Sequence, residues 1–238
     1  MSDYIDILQG FRQRKNKDMY QRVRKALIEK KGTLFPASGK VDQKARAQDL
    51  VNLLYTFASN RPNQFGLYKV YAAEELNELL SHYEGDLKEI IETDGLLDAD
   101  HLTRLAQALY LFKTGEFEGI FRRIEKRALL LHEAGKLDIY HITNILRAFV
   151  HSQENRMNGK DKTFFAFEAT VLKSLDTLSD RDLTHLMYAY GVRGVGNPEL
   201  HKAFEKKLDA IASRLDYPSL FNAVYYLLFQ ENVNKALW

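Results

Sequence analysis

One apolar pattern recurs five times along this chain and governs what it can fold into. The segments "LVNLLYTFASN" from Leu50, "LTRLAQALYLF" from Leu102, "ITNILRAFVHS" from Ile142, "LTHLMYAYGVR" from Leu183 and "LFNAVYYLLFQ" from Leu220 align without gaps. The last four begin 40, 41 and 37 residues apart. Position four is Leu53, Leu105, Ile145, Leu186 or Ala223. Position five is Leu54, Ala106, Leu146, Met187 or Val224, and position eight is Phe57, Leu109, Phe149, Tyr190 or Leu227. Offsets of three, four and seven fall on one face of an α-helix.

A second amphipathic segment follows each of the first four. These are residues 68–85, 119–133, 164–175 and 200–215. In the last, Leu200, Phe204, Leu208, Ile211 and Leu215 form an apolar stripe with charges behind it. Asp100 and either Ser179 or Asp180 stand where helices before Leu102 and Leu183 need an N-cap. Gly85, Gly115 and Gly135 stand where helices end, and Pro198 opens the helix after "GVRGVGN".

A helical hairpin of this size cannot bury its apolar face alone, whereas stacked hairpins close a common core. The expected fold is all-α: a solenoid of roughly four hairpins of about 40 residues with terminal helices. An irregular helical bundle is the competing architecture. The expected organisation is an N-terminal segment, 1–41, carrying a basic helix, then a helical repeat domain, 42–238.

Composition removes several chemistries. The 238 residues include no cysteine, which excludes disulfides, a thiol nucleophile and cysteine-bound metal. No run approaches the length of a membrane span, and no secretory leader is expected at "MSDYIDILQGF". There is no phosphate-binding G-x-x-x-x-G-K-[ST] and no H-E-x-x-H. "GVRGVGNPE" lacks the lysine and lies between two helices. The seven histidines read as structural or surface groups; His101 and His141 occupy equivalent positions just before their repeats. The acid pairs read as helix surface. No catalytic residue, metal ligand or cofactor site is assigned, and the chain is expected not to be an enzyme.

The candidate residues are therefore contact residues. Residues 11–31 carry nine Lys/Arg against two acids, while the remainder carries 25 against 30. Arg12, Arg14, Lys15, Lys17, Arg22, Arg24 and Lys25 flank Phe11, Met19, Tyr20, Val23 and Leu27, as on a helix with a narrow apolar stripe. Such a helix suits RNA phosphates, an acidic protein partner, an anionic membrane surface, or plain capping of the repeat stack. A second basic cluster is Arg122, Arg123, Lys126 and Arg127. The third position of the five repeats gives Asn52, Arg104, Asn144, His185 and Asn222, and the sixth gives Tyr55, Gln107, Arg147, Tyr188 and Tyr225. These form a polar-aromatic ridge of the kind that repeat proteins use to read RNA, although tyrosine also serves in helix packing. "FFAFEAT", "YYLLF" and Trp238 offer aromatic surface for an interface.

The units "DLTHLMYAYGVRGVGNPELHKAFEKKL", "HLTRLAQALYLFKTGEFEGIFRRIEKRAL" and "HITNILRAFVHSQ" resemble the degenerate organellar helical repeats of the FAST-kinase-like and octotricopeptide-like groups, over roughly residues 42–230. The resemblance implies a mitochondrial protein. It acts either as a structural or assembly subunit of a large complex or, alternatively, in organellar RNA metabolism or the mitochondrial ribosome. The implied partners are other protein subunits, with RNA as the second class and peripheral membrane contact as the third. The chain departs from the RNA-processing members in having no recognisable nuclease-like C-terminal domain, so no enzymatic role is carried over from the resemblance.

Overall fold

The computed structural model describes residues 17–29, 42–59, 73–112, 118–150 and 161–236. Every regular element among them is helical. In chain order they are α1 (Lys17–Glu29), α2 (Gln43–Ser59), α3 (Ala73–Glu92), α4 (Ala99–Phe112), α5 (Glu118–Glu133), α6 (Ile139–Phe149), α7 (Lys162–Ser174), α8 (Asp180–Arg193), α9 (Pro198–Ile211) and α10 (Tyr217–Ala236), with a 3-10 turn at Ala212–Arg214. The chain divides into two compact units, residues 1–127 and 128–238, and the division falls inside α5.

The helix order is that of a repeat. The five apolar segments lie on α2, α4, α6, α8 and α10, and the second segments on α3, α5, α7 and α9. In α2, α4, α6 and α8 the residues at positions one, four, five and eight are all buried. Each leucine, isoleucine, methionine or phenylalanine among them contributes roughly 1.5–3 kcal/mol of transfer free energy.

In the first unit α2 packs on α4, α3 on α4, and α1 on α3. Val23 and Leu27 are the buried stripe of α1, and Leu80, Tyr83, Leu87 and Ile91 carry the buried face of α3. The Tyr83 hydroxyl donates to the Leu27 carbonyl at 2.7 Å. That bond satisfies an acceptor in the last turn of α1, where helical partners run out. Arg46 ties α2 to α3 through Asp86 at 3.2 Å.

In the second unit α8 is central, packed against α6 on one side and α10 on another, while α7 packs on α6 and α9. An edge-to-face series links four helices: Phe164 to Tyr190 at 5.1 Å, Tyr190 to Phe204 at 5.9 Å, and Phe204 to Tyr226 at 5.9 Å. Such geometry adds about 0.5–1.5 kcal/mol per pair to area burial. The Tyr190 hydroxyl donates to the Phe164 carbonyl at 3.0 Å.

Two sequence expectations are corrected. Gly85 does not end a helix; α3 runs through it to Glu92, because Leu87 and Ile91 extend the buried stripe. Asp100 is not the cap before Leu102. It lies in the first turn of α4, and Asp98 accepts the His101 backbone N–H at 3.0 Å. Of the two caps expected before Leu183, Ser179 is the N-cap and Asp180 lies inside α8. Gly194 ends α8 in the left-handed conformation, and Asn197 with Pro198 starts α9, in line with the sequence. Gly115 lies outside the described residues.

Candidate interaction surfaces

The starts of the repeated helices hold a polar repeat that the apolar pattern hides. The Asp98 carboxylate accepts from His101 N–H, Asp138 from His141 N–H at 2.9 Å, Ser179 Oγ from Asp182 N–H at 3.1 Å, and Asp216 from Ser219 N–H at 2.9 Å. Each acceptor stands four residues before position one of its repeat. The signal was present in the text as D-x-x-H, D-x-x-H, S-x-x-D and D-x-x-S. It also accounts for His101 and His141, whose Nδ1 atoms each lie 2.7 Å from the capping carboxylate.

In the first unit the ridge positions of neighbouring repeats meet: Arg104 donates to the Asn52 side chain at 2.6 Å. Tyr55 and Gln107 are half-buried beside them. In the second unit Asn144 is buried and donates to the Tyr140 carbonyl at 2.9 Å. Arg147, His185, Tyr188 and Asn222 are half-buried, and Tyr225 is exposed. Tyr188 and Tyr225 meet edge to face at 6.1 Å. Burial, with Arg147 and Arg181 nearby, holds the His185 imidazole down to about 4, so it is neutral at physiological pH.

The basic residues divide by role. Arg24 pairs with Glu78 at 2.6 Å and is mostly covered, whereas Arg22 and Lys25 are exposed on α1. With Gln21, Ile28 and Glu29 they line an open groove of about 400 Å³. Lys17 opens α1; Arg12, Arg14, Lys15 and Trp238 lie outside the described residues. In the second cluster Arg123 binds Glu92 at 2.6 Å and the Gly119 carbonyl at 2.9 Å, and Arg127 binds Asp94. These two arginines fasten α5 to the end of α3. Arg122 and Lys126 form the exposed row.

Among the described residues of the second unit, most of the exposed large hydrophobic side chains lie on α10. Its inward face is small or polar except for one ring: Ser219, Ala223 and Tyr226 are buried. Its outward face carries Tyr217 (78% exposed), Leu220, Phe221, Val224, Tyr225, Leu227 and Leu228 (51%). The fifth repeat is therefore turned relative to the other four. It exposes Leu220, Val224 and Leu227, the positions one, five and eight that α2, α4, α6 and α8 bury. From Tyr217 to Gln230 the helix has no charged residue. In "YYLLF" Tyr225 is exposed, Phe229 half-buried and Tyr226 buried, and in "FFAFEAT" Phe164 and Phe167 are buried and only Phe165 is exposed.

Among the described residues no three His, Asp or Glu side chains are grouped to hold a metal, and no helix is long and apolar enough to cross a membrane. No protein-family model matches the chain, and no curated protein matches it.

Proposed function

We propose that this chain is a non-catalytic structural or assembly subunit of a large organellar complex, in the first place mitochondrial, acting through protein–protein contacts. In this reading its helices form a solenoid of hairpins of about 40 residues, whose ends and edges are contact surfaces. The observation that carries the reading is the uncharged, apolar outward face of α10. Contiguous apolar patches of this kind mark interaction sites on otherwise water-exposed proteins. The organelle rests on the sequence's likeness to organellar helical repeats.

The test is native size fractionation of the endogenous protein, with and without nuclease, and identification of what co-migrates. The expected result is a large particle that survives nuclease with stoichiometric protein neighbours. Migration at the 27.6 kDa of the free chain would overturn the reading.

A second reading, RNA binding, is favoured by the ridge residues Arg104, Arg147 and Tyr188 and by the exposed Arg22 and Lys25. It requires that the isolated chain bind single-stranded RNA with an affinity that falls steeply with salt. Because Arg22 and Lys25 are exposed, Arg22→Glu with Lys25→Glu would weaken that binding while leaving the fold intact. Salt-insensitive or absent RNA binding removes this reading.

A further inference from the structure

His201 sits where three parts of the second unit meet: α9, the connection that follows α8, and α10. Its Nε2 lies 3.1 Å from the Val195 carbonyl oxygen, and its Nδ1 lies 2.9 Å from the Tyr226 hydroxyl. The imidazole is stacked on the Tyr226 ring, with centroids 5.8 Å apart and planes inclined by 21°. It is also pressed against Gly196, where a Cβ would come within 2.8 Å of Nε2. The same connection is held from α7, whose Glu168 accepts the Asn197 backbone N–H at 3.2 Å.

The partners fix the direction of each bond. A carbonyl only accepts, so Nε2 carries a proton. Burial lowers the proton affinity of the ring, against the pull of Glu205 and Glu168, so at neutral pH the ring is uncharged and Nδ1 is a bare acceptor. The Tyr226 hydroxyl therefore donates to Nδ1, and Nε2–H donates to Val195. This relay ties α10 to α9, and α9 to the connection after α8. Tyr226 is buried, and among the described residues its hydroxyl has no other hydrogen-bond partner.

We propose that His201 is a proton-operated latch on α10: uncharged, it accepts the Tyr226 hydroxyl and holds the helix down, and protonated, it lets the helix lift. Protonation gives Nδ1 a hydrogen of its own. The Tyr226 hydroxyl can then only accept, and its proton is turned into a buried space without an acceptor among the described residues, which is costly. Opening removes the conflict, because hydroxyl and imidazolium both reach water. The surrounding groups work the same way. Glu168 from α7 and Glu205 from α9 favour the charged ring. The Tyr226 phenol faces it from α10, and α8 contributes Tyr190, which lies against Gly196 with its own hydroxyl given to the Phe164 carbonyl. Since α10 carries the uncharged outward face, the latch makes that surface respond to acid. Only this use rests on the protein-contact reading above; the latch itself does not.

Magnetic resonance of the histidine rings and hydrogen exchange of the backbone amides, both on the purified full-length chain, test the latch. At neutral pH His201 should carry its proton on Nε2 and none on Nδ1. The ring in the opened state takes up a second proton near the ordinary 6.5, and the closed ring only below it. Across that window the opening of α10 should grow by up to about tenfold per pH unit, once intrinsic exchange rates are divided out. It should do so in step with the titration of His201, with the amides of α7 lagging behind. His201→Gln keeps a donor for Val195 but cannot titrate, so it should abolish the step, and His185→Gln should keep it. A proton on Nδ1 of the neutral ring overturns the proposal, as does α10 exchange that ignores the titration of His201. So does a step that persists in His201→Gln or disappears in His185→Gln. The tautomer, the titration and the exchange are all read on the unaltered chain, so the outcome does not depend on the folding of a variant. Failure of the latch leaves the subunit reading standing, whereas migration of the endogenous protein at 27.6 kDa removes that reading and leaves the latch.

Discussion

Gly191 and Tyr226 bring two helix backbones closer than ordinary side chains allow. A Cβ on Gly191 would meet Tyr226 Cδ2 at 3.0 Å and Tyr226 Cα at 3.1 Å. Because one of these atoms is backbone, relief requires α10 to move. Overpacking of this kind costs about 1–3 kcal/mol, while replacing a helical glycine by alanine returns about 1 kcal/mol. Gly191→Ala should lower stability by about 1 kcal/mol, a fall of a few degrees in a circular dichroism melt; an unchanged or higher Tm would contradict the close approach. His185 makes a different prediction. Its folded-state value near 4 lies below its ordinary 6.5, so between those pH values the unfolded chain takes up a proton that the fold refuses. Stability contributed by the neutral ring is full above pH 6.5 and is lost as pH falls toward 4. His201 is lowered by burial in the same direction and shares the slope. Around His185 stand Arg147, Arg181, Asp182 and Asp216. His185→Gln should flatten the dependence of Tm on pH across that window, and an unaltered slope would refute its buried neutral state. Neither residue was legible as special. Gly191 opens "GVRGVGN", which reads as a connection between helices although α8 runs through it to Arg193, and a lone histidine on a ridge carries no sign of what surrounds it.

At the scale of the element, the caps separate what spacing reveals from what geometry decides. The apolar positions of α2, α4, α6 and α8 were legible because four buried residues at offsets of three, four and seven have one helical solution. Asp98 was not, since Asp100 stands nearer the apolar run and either acid is a chemically competent cap. Geometry selects Asp98 because its carboxylate reaches the His101 N–H three residues on. Asp98→Ala should cost about 0.5–2 kcal/mol, typically about 1 kcal/mol. Asp100→Ala, an exposed first-turn position, should cost about 0.5 kcal/mol or less. Matched denaturant melts of the two variants give the comparison, and equal effects would mean that Asp98 does not cap α4. The face that α10 buries was hidden for a related reason. "LFNAVYYLLF" fits the repeat register, but which side of a helix with apolar residues on most faces turns inward depends on its neighbours. Small Ser219 and Ala223 allow close approach to α8, so the larger residues at positions one, five and eight turn outward.

Across the molecule, the all-α class and the alternation of helices followed from periodicity, while the contact surfaces followed only in part. The pairing of Asn52 with Arg104 joins two residues that the register alone had aligned. The use of Arg123 and Arg127 as fasteners for Glu92 and Asp94 was not readable, because a basic cluster looks the same whether it meets acids of its own chain or of another. One consequence lies in how such a chain comes into being. The Tyr83–Leu27 bond spans 56 residues, Arg104–Asn52 spans 52, Arg193–Phe149 spans 44 and Tyr190–Phe164 spans 26. Each is short against the 238-residue length. Each bond joins helices of one unit, and wiring that stays within a unit does not wait for the rest of the chain. It also lets the chain assemble in the order in which it leaves the ribosome, each helix meeting a partner already made. α10 would then arrive after α8 and α9, its small inner residues settling on a finished α8, and its oily outer side would face water only from that moment.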